Sequence, residues 1–560
     1  MMGSTETTGT TAVEPDVDST TGTPEPDPST STTGSLDSTG AESSTGEEIE
    51  LPPPLPWTDQ CTYAGSDLSR LDPNLLCAGI EVPLDWDDPQ GESIVIAAFK
   101  IPTTADVRRG QMWLLAGGPG SSGLPFLGAT SLTEVLTEAG WDVLVPAHRG
   151  TFSPLLDCLA PPASLQCRAS LEEDWGEGLR HFNSSAAGHD LAALIERERQ
   201  IPGDPAVVYG VSYGTMWAMH YASLHPEQPD GVVLDSVLPA EVDVLTQESQ
   251  QQAAVEVLLQ RCIDDPACGP TLPYATGAEF SAAVVAAIDQ GDCGGNDNGA
   301  WPDTFFRDQL GFLLNGSRRD YVPLMAALLA ACTPPTSELF TASFGQLLAG
   351  ASSLGPMATP APLVEGPRFD IAPYRWGDWR DDYSVDDALF FSRELQYAVM
   401  GTTILREEQD PGPIVEAARQ NLVGLGFADL FVSTHEVWTT LPDVALLPPW
   451  SPDVPALVLA GSFDLQTPLG WTDELMLGGE HQHLLVFDSA NHGVLNSGNT
   501  ADGAPCAQDI ILAFASEPTA ALDASCMDDV PQVDPALTRP DLLELSAMVF
   551  GTDDPWSLVP

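Results

Sequence analysis

From residue 57 onward, short apolar runs alternate with helical patterns, and this rhythm limits the fold more than any other feature of the chain. Residues 94–99, 112–116 and 141–145 read as successive strands, and residues 187–200 as a helix with Leu191, Leu194 and Ile195 on one face. Residues 206–209, 232–235, 454–460 and 484–487 read as further strands, each a near-continuous apolar run. Such runs are buried on both faces, and helices between them supply the cover. The expectation is an α/β fold with a mostly parallel central sheet and helices on both faces. Between Pro239 and Pro449 the rhythm stops, and Ala/Leu/Gln-rich helical patterns such as 247–261 and 321–331 replace it. An insertion of that length between two strands of one sheet reads as a large, mostly helical cap. The expected division is therefore 1–56 linker, 57–239 first part of the core, 240–449 cap, and 450–560 second part of the core.

The first 50 residues carry no aromatic, cysteine or basic side chain. A segment so poor in apolar surface cannot offset its ordering entropy, so it is expected to be disordered. It reads either as a tether to a surface anchor or as a plain acidic tail, followed by a stiff proline-rich run at 51–56. Acidic residues outnumber basic ones 81 to 20, a formal charge of −61. That surface repels phosphate backbones, which excludes nucleic acid as a partner. No apolar run reaches the ~20 residues that span a bilayer. Ten cysteines include the close pairs Cys61/Cys77, Cys158/Cys167, Cys262/Cys268 and Cys506/Cys526, with Cys293/Cys332 left over. None has the spacing of a zinc or thioredoxin-type site. They read as disulfides formed in an oxidising compartment, the alternative being buried free thiols, and spacing leaves the connectivity open. A secreted or envelope location is expected. Because Met1-Met2-Gly3-Ser4 leads straight into polar sequence, the export signal and any lipid anchor are expected to be missing from the given chain.

The strongest local signal is Gly210-Val211-Ser212-Tyr213-Gly214, between a strand and a helical pattern from 215 to 224. A serine in a sharp strand-to-helix turn is lifted to the sheet's edge, and flanking glycines relieve the crowding there. Upstream, Gly117-Gly118-Pro119-Gly120 follows the strand at 112–116. Acyl transfer builds charge on a carbonyl oxygen, and each fixed backbone donor facing it is worth roughly 3–4 kcal/mol. The N–H groups of Gly118 and Tyr213 are the candidates. The nucleophile needs a base and an orienting acid in the chain order Ser, Asp, His. Asp464 and His492 each follow a late strand, so both belong at the carboxyl edge with Ser212. His481 and His483 precede the last strand and should lie at the opposite edge, as exposed loop residues. Asp488 is too near His492 in sequence to orient it, and is expected to cap the loop. These motifs require no metal and no cofactor.

Taken in order, Gly117-Gly118-Pro119-Gly120, His148-Arg149-Gly150-Thr151, Gly210-Val211-Ser212-Tyr213-Gly214, Leu234-Asp235, Gly461-Ser462-Phe463-Asp464-Leu465-Gln466-Thr467-Pro468 and Asn491-His492-Gly493 resemble the α/β-hydrolase peptidases of the prolyl and tripeptidyl aminopeptidase family. The chain is most similar to the secreted, tripeptidyl aminopeptidase-like branch, over about residues 60–515. The resemblance implies a serine exopeptidase that cuts unblocked peptides near their amino end, the cap holding the free terminus. Two stretches depart from the pattern: Ala116 stands where His or Asn is usual, and Ala147-His148-Arg149-Gly150-Thr151-Phe152-Ser153 replaces Asp-x-Arg-Gly-x-Gly-x-Ser. In the cap, Leu395 of Phe391-Ser392-Arg393-Glu394-Leu395 replaces a cysteine of the relatives, and the resemblance does not settle whether Glu394 is their neighbouring acid. Two other readings remain open, an esterase or other acyl hydrolase on the same scaffold, and a catalytically silent surface-binding protein.

Overall fold

Strand-forming runs with no polar face must be covered on both sides, and the chain solves this with one eight-stranded sheet. In the computed structural model the described residues are 52–560, apart from 64–65, 129, 153–154, 159, 202, 241–242, 291–304, 332, 350–368, 371–390, 406–408, 425–426, 439–449 and 476–477. Residues 1–51, with nearly all of the expected linker, and the pair Cys293/Cys332 lie outside the described residues.

The sheet strands are β1 (Leu76–Pro83), β2 (Ser93–Ile101), β3 (Gly110–Leu115), β4 (Trp141–Pro146), β5 (Ala206–Val211), β6 (Gly231–Asp235), β7 (Ala456–Gly461) and β8 (Gln482–Phe487). Their order across the sheet is β8-β7-β6-β5-β3-β4-β2-β1. Only β2 runs against its neighbours, β1 and β4, while the pairs from β4 through β8 are parallel. This is the α/β-hydrolase fold. Alternate residues of one strand enter opposite layers, as the pleat demands. Trp113 and Leu115 of β3 pack in one buried cluster, Met112 and Leu114 in the other. The strand β1 was not expected from the sequence, because Gly79, Glu81 and Pro83 interrupt its apolar run. Its pairing with β2 along the whole length, from Leu76 opposite Lys100 to Pro83 opposite Ser93, supplies what local pattern lacks.

Between β6 and β7 the described elements are helical except for Phe369–Asp370, which pairs with Cys61–Tyr63 in a small separate sheet. Helices Gln247–Asp264, Gly277–Asp289, Phe305–Asn315 and Val322–Ala331 bury one another around Val255, Leu258, Phe280, Leu310 and Leu328. Val533, Leu537, Leu542 and Trp556 join this cluster, and Tyr321 donates its hydroxyl to the Leu542 carbonyl at 2.8 Å. The last residues of the chain are thus bound into the packing of the insertion. Phe463 and Leu465, on either side of Asp464, are in the same cluster, so the insertion also anchors a loop of the site.

Four disulfides join Cys61–Cys77, Cys158–Cys167, Cys262–Cys268 and Cys506–Cys526, the four close pairs of the sequence. Among the described residues, no helix is long and apolar enough to cross a membrane.

Candidate active site

Parallel strands present their carboxyl ends at one edge, and loops leaving that edge carry every candidate residue. Ser212 follows β5 and is the N-cap of helix Tyr213–Leu224, with φ 58° and ψ −129°. A positive φ is rare for a side chain larger than glycine, and here the turn holds it. A Cβ on Gly210 would collide with the Gly214 carbonyl, and one on Gly214 with the Leu115 carbonyl. The two glycines of the pentapeptide are therefore required by close backbone approach. Because β3 pairs directly with β5, the loop after β3 lies against the elbow. A Cβ on Gly117 would stand 2.8 Å from Ser212 Cβ and 3.3 Å from its Oγ.

Asp464 lies after β7 and His492 after β8, and the structure brings them together: His492 Nδ1 is 3.0 Å from each Asp464 carboxylate oxygen. The backbone N–H groups of Gln466 and Thr467 donate to Oδ1 at 2.9 Å, and the Thr467 hydroxyl to Oδ2 at 2.8 Å. Burial pushes the Asp464 carboxyl up, but His492 and these donors outweigh it and hold it below the usual carboxylate value. Burial likewise pushes His492 down, and the Asp464 charge and hydrogen bond overcome this to raise it above 6.5. Nδ1 therefore carries a proton toward Asp464, leaving Nε2 as the basic nitrogen.

The end of β6 ties this pair to the elbow. Ser212 N–H donates to the Asp235 carbonyl at 3.0 Å. The Asp235 carboxylate accepts from Val494 N–H at 2.7 Å and Leu495 N–H at 3.0 Å, and Ser236 Oγ accepts from Gly493 N–H at 2.8 Å. One buried dipeptide thus braces both the serine turn and the histidine loop. No hydrogen bond joins Ser212 Oγ to His492; bonds of this kind commonly tighten only when substrate arrives. His481 and His483 both lie at the amino edge, but neither is an exposed loop residue: His481 is half-buried just before β8, and His483 is the second residue of that strand, opposite Leu457, because pairing with β7 begins at Gln482. Asp488 pairs with Arg261 at 2.8 Å, bridging to the insertion, where the sequence suggested a loop cap.

The N–H groups of Gly118 and Tyr213 donate to no protein acceptor among the described residues. Behind Tyr213 runs a buried relay: Ser184 Oγ donates to Tyr213 OH at 2.9 Å, which donates to His148 Nε2 at 2.9 Å. His148 Nδ1 in turn donates to the Arg149 carbonyl at 2.8 Å, and burial lowers its pKa to about 4, so the ring stays neutral. Arg149 is fully buried and makes a two-pronged pair with Asp190, Nε to Oδ2 at 2.7 Å and Nη2 to Oδ1 at 2.6 Å. Its remaining donors reach the carbonyls of Pro83, Leu84 and His181. The His148-Arg149 motif is therefore a positioning device under the oxyanion side. Arg149→Met is expected to leave Asp190 as an uncompensated buried charge and to cost about 3–5 kcal/mol in urea unfolding. A loss below about 1 kcal/mol, the level of a surface pair, would overturn that role.

The insertion reaches the same place. Ser392 N–H donates to the Gly120 carbonyl at 2.8 Å, and Phe391 bridges to Ser121. Glu394 follows, buried, with burial foremost pushing its carboxyl up to about 7. Sequence reasoning assigned no role to Thr467, Asp235, Ser236 or the Ser184–Tyr213–His148 relay. The only signal available was the presence of all but Ser184 inside, or next to, the quoted motifs.

The chain matches no protein-family model. It is similar to serine protease Hip1 of Mycobacterium tuberculosis, 25% identical over 261 residues, covering 42% of this chain and 49% of that one. The tripeptidyl aminopeptidase of Streptomyces coelicolor is 27% identical over 192 residues, 29% of this chain and 35% of its own. The chain thus spans about half the length of the first curated relative, and less of the second. A solved carboxyl esterase from Bacillus coagulans aligns over 79% of this chain and 99% of its own, at 13% identity and a TM-score of 0.32. The chain has the α/β-hydrolase fold, and its sequence relatives support a serine peptidase family within that fold.

Proposed function

We propose that this hydrolase is a serine exopeptidase, releasing residues from peptides with a free amino terminus through an acyl-enzyme on Ser212. The observation that carries the reading is the buried Asp464–His492 pair, on loops leaving the same sheet edge as the Ser212 elbow. His492 Nε2 takes the Ser212 proton as Oγ attacks the carbonyl, then returns it to the departing nitrogen, and Asp464 stabilises the imidazolium in between. The N–H groups of Gly118 and Tyr213 receive the charge that develops on the carbonyl oxygen. Water then repeats the sequence to release the acyl group. The four disulfides favour a secreted or cell-envelope setting.

The choice of a free amino terminus rests on the family resemblance and on charge. A net charge of −61 attracts cations, and low-dielectric walls around a cleft would focus that field on a substrate ammonium. N-acetylation removes the charge and adds bulk, so kcat/KM for acetylated peptide anilides is expected to fall at least about tenfold against the free peptides. A fluorophosphonate probe should label the protein. Labelling combined with equal cleavage of both substrates would replace the exopeptidase by a general acyl hydrolase, and no labelling would leave a catalytically silent protein.

A further inference from the structure

Beside the histidine of the site lies an arginine whose buried Nη1 meets no acceptor among the described residues. A cavity of about 400 Å³ is lined by Asn491 and His492, by Ser317, Arg319 and Asp320 from the insertion, and by Arg539 near the end of the chain. Arg539 is engaged: Nη2 lies 3.1 Å from Asp541, Nη1 3.7 Å from Asp320, and Nη1 also donates to the Gln532 carbonyl at 3.2 Å. Asp320 additionally accepts from Asp534 N–H at 2.7 Å. Among the described residues Arg319 forms no ion pair, and its Nη1 is buried without a hydrogen-bond acceptor. Burial foremost lowers its pKa to about 10, with Asp320 opposing and Arg539 adding, so it stays charged at neutral pH. Two guanidinium groups face one carboxylate in this cavity, and the fork of donors on Arg319 meets no acceptor among the described residues. A carboxylate fits that fork in shape and charge.

Acyl transfer fixes what occupies this side of the site. As the Ser212 Oγ–carbon bond forms and the carbon–nitrogen bond breaks, the serine proton passes through His492 to the leaving nitrogen. The released part of the substrate must therefore lie near His492, which lines the cavity. We propose that the cavity is the leaving-group subsite, and that Arg319 receives a carboxylate carried by the released part of the peptide. That carboxylate is either the free carboxyl terminus of a short peptide or an acidic side chain just beyond the cleaved bond. The inference rests on the peptidase reading and adds that the enzyme selects its substrate from the released side as well.

The test compares kcat/KM of the full chain on matched peptide pairs: free acid against carboxyl-terminal amide, and Glu against Gln immediately after the cleaved bond. At least one pair is expected to favour the carboxylate by about tenfold or more, the worth of one charge-assisted contact. Which pair responds identifies the source of the carboxylate. Arg319→Met should bring that ratio close to one by lowering kcat/KM of the carboxylate substrate, and Arg319→Lys should restore part of the preference. No preference in either pair, or a preference that survives Arg319→Met, would overturn the inference. If no peptide is cleaved, the peptidase reading fails separately. The subsite is then tested by calorimetric titration of the Ser212→Ala protein with tetra-alanine and its amide. Tighter binding of the acid that is lost in the Arg319→Met background supports the subsite, and equal or absent binding of the two rejects it.

Discussion

Replacing Ser212 with alanine is expected to leave a folded protein whose turnover is lower by about 10⁶-fold. Alanine keeps the Cβ and removes only Oγ, so the strained turn at φ 58° and its contact with Gly117 are unchanged. The melting temperature should therefore match that of the unsubstituted protein, while turnover falls to what oxyanion stabilisation and binding alone provide. A larger side chain would confound the measurement, because a glycine backbone borders Ser212 Cβ. Retention of even a tenth of the activity by the alanine protein would remove Ser212 from the mechanism.

Asp464→Asn is expected to lower kcat by about 10⁴-fold, since an amide at this position neither fixes the histidine tautomer nor stabilises the imidazolium. The same substitution should move the pH profile in a direction the structure specifies. The base acts only when neutral, so activity falls as pH drops through the His492 pKa, which Asp464 holds above 6.5. Without that anion, burial dominates and the pKa falls, so the acid limb of kcat/KM should shift to lower pH as the rate drops. Asp464→Asn protein with an unshifted limb would show that another group, such as the neighbouring Asp235, sets the titration. The two readouts separate the electrostatic role of Asp464 from a merely structural one.

Much of this site is legible in local sequence because its parts obey short-range rules. A tight strand-to-helix turn needs glycine on either side of the serine, and the spacing of Gly210, Ser212 and Gly214 states that directly. Strand runs followed by loops place Ser212, Asp464 and His492 at one sheet edge as soon as the sheet is parallel. Even the division between sheet and helical insertion follows from a change in apolar period. The departures are instructive too. Ala147-His148-Arg149 departs from the family pattern, yet Arg149 fills every donor position and His148 completes the relay behind Tyr213.

Periodicity and turn chemistry could thus specify which residues stand at the carboxyl edge, since both depend on neighbours a few positions apart. They could not specify what those residues touch. Arg149 meets Asp190 across 41 residues, and Asp235 holds the Leu495 N–H across 260. Those contacts arise because β3 lies between β4 and β5, and because β6 adjoins β7 across the entire insertion. The cavity beside His492 is the extreme case, joining a loop of the sheet to Arg319 of the insertion and Arg539 of the last segment. Arginines occur in many exposed helices without consequence. Packing that buries Nη1 of Arg319 away from any acceptor among the described residues, beside His492, is what local sequence could not show, because the cost of an unpaired charge depends on its surroundings and not on its neighbours in the chain.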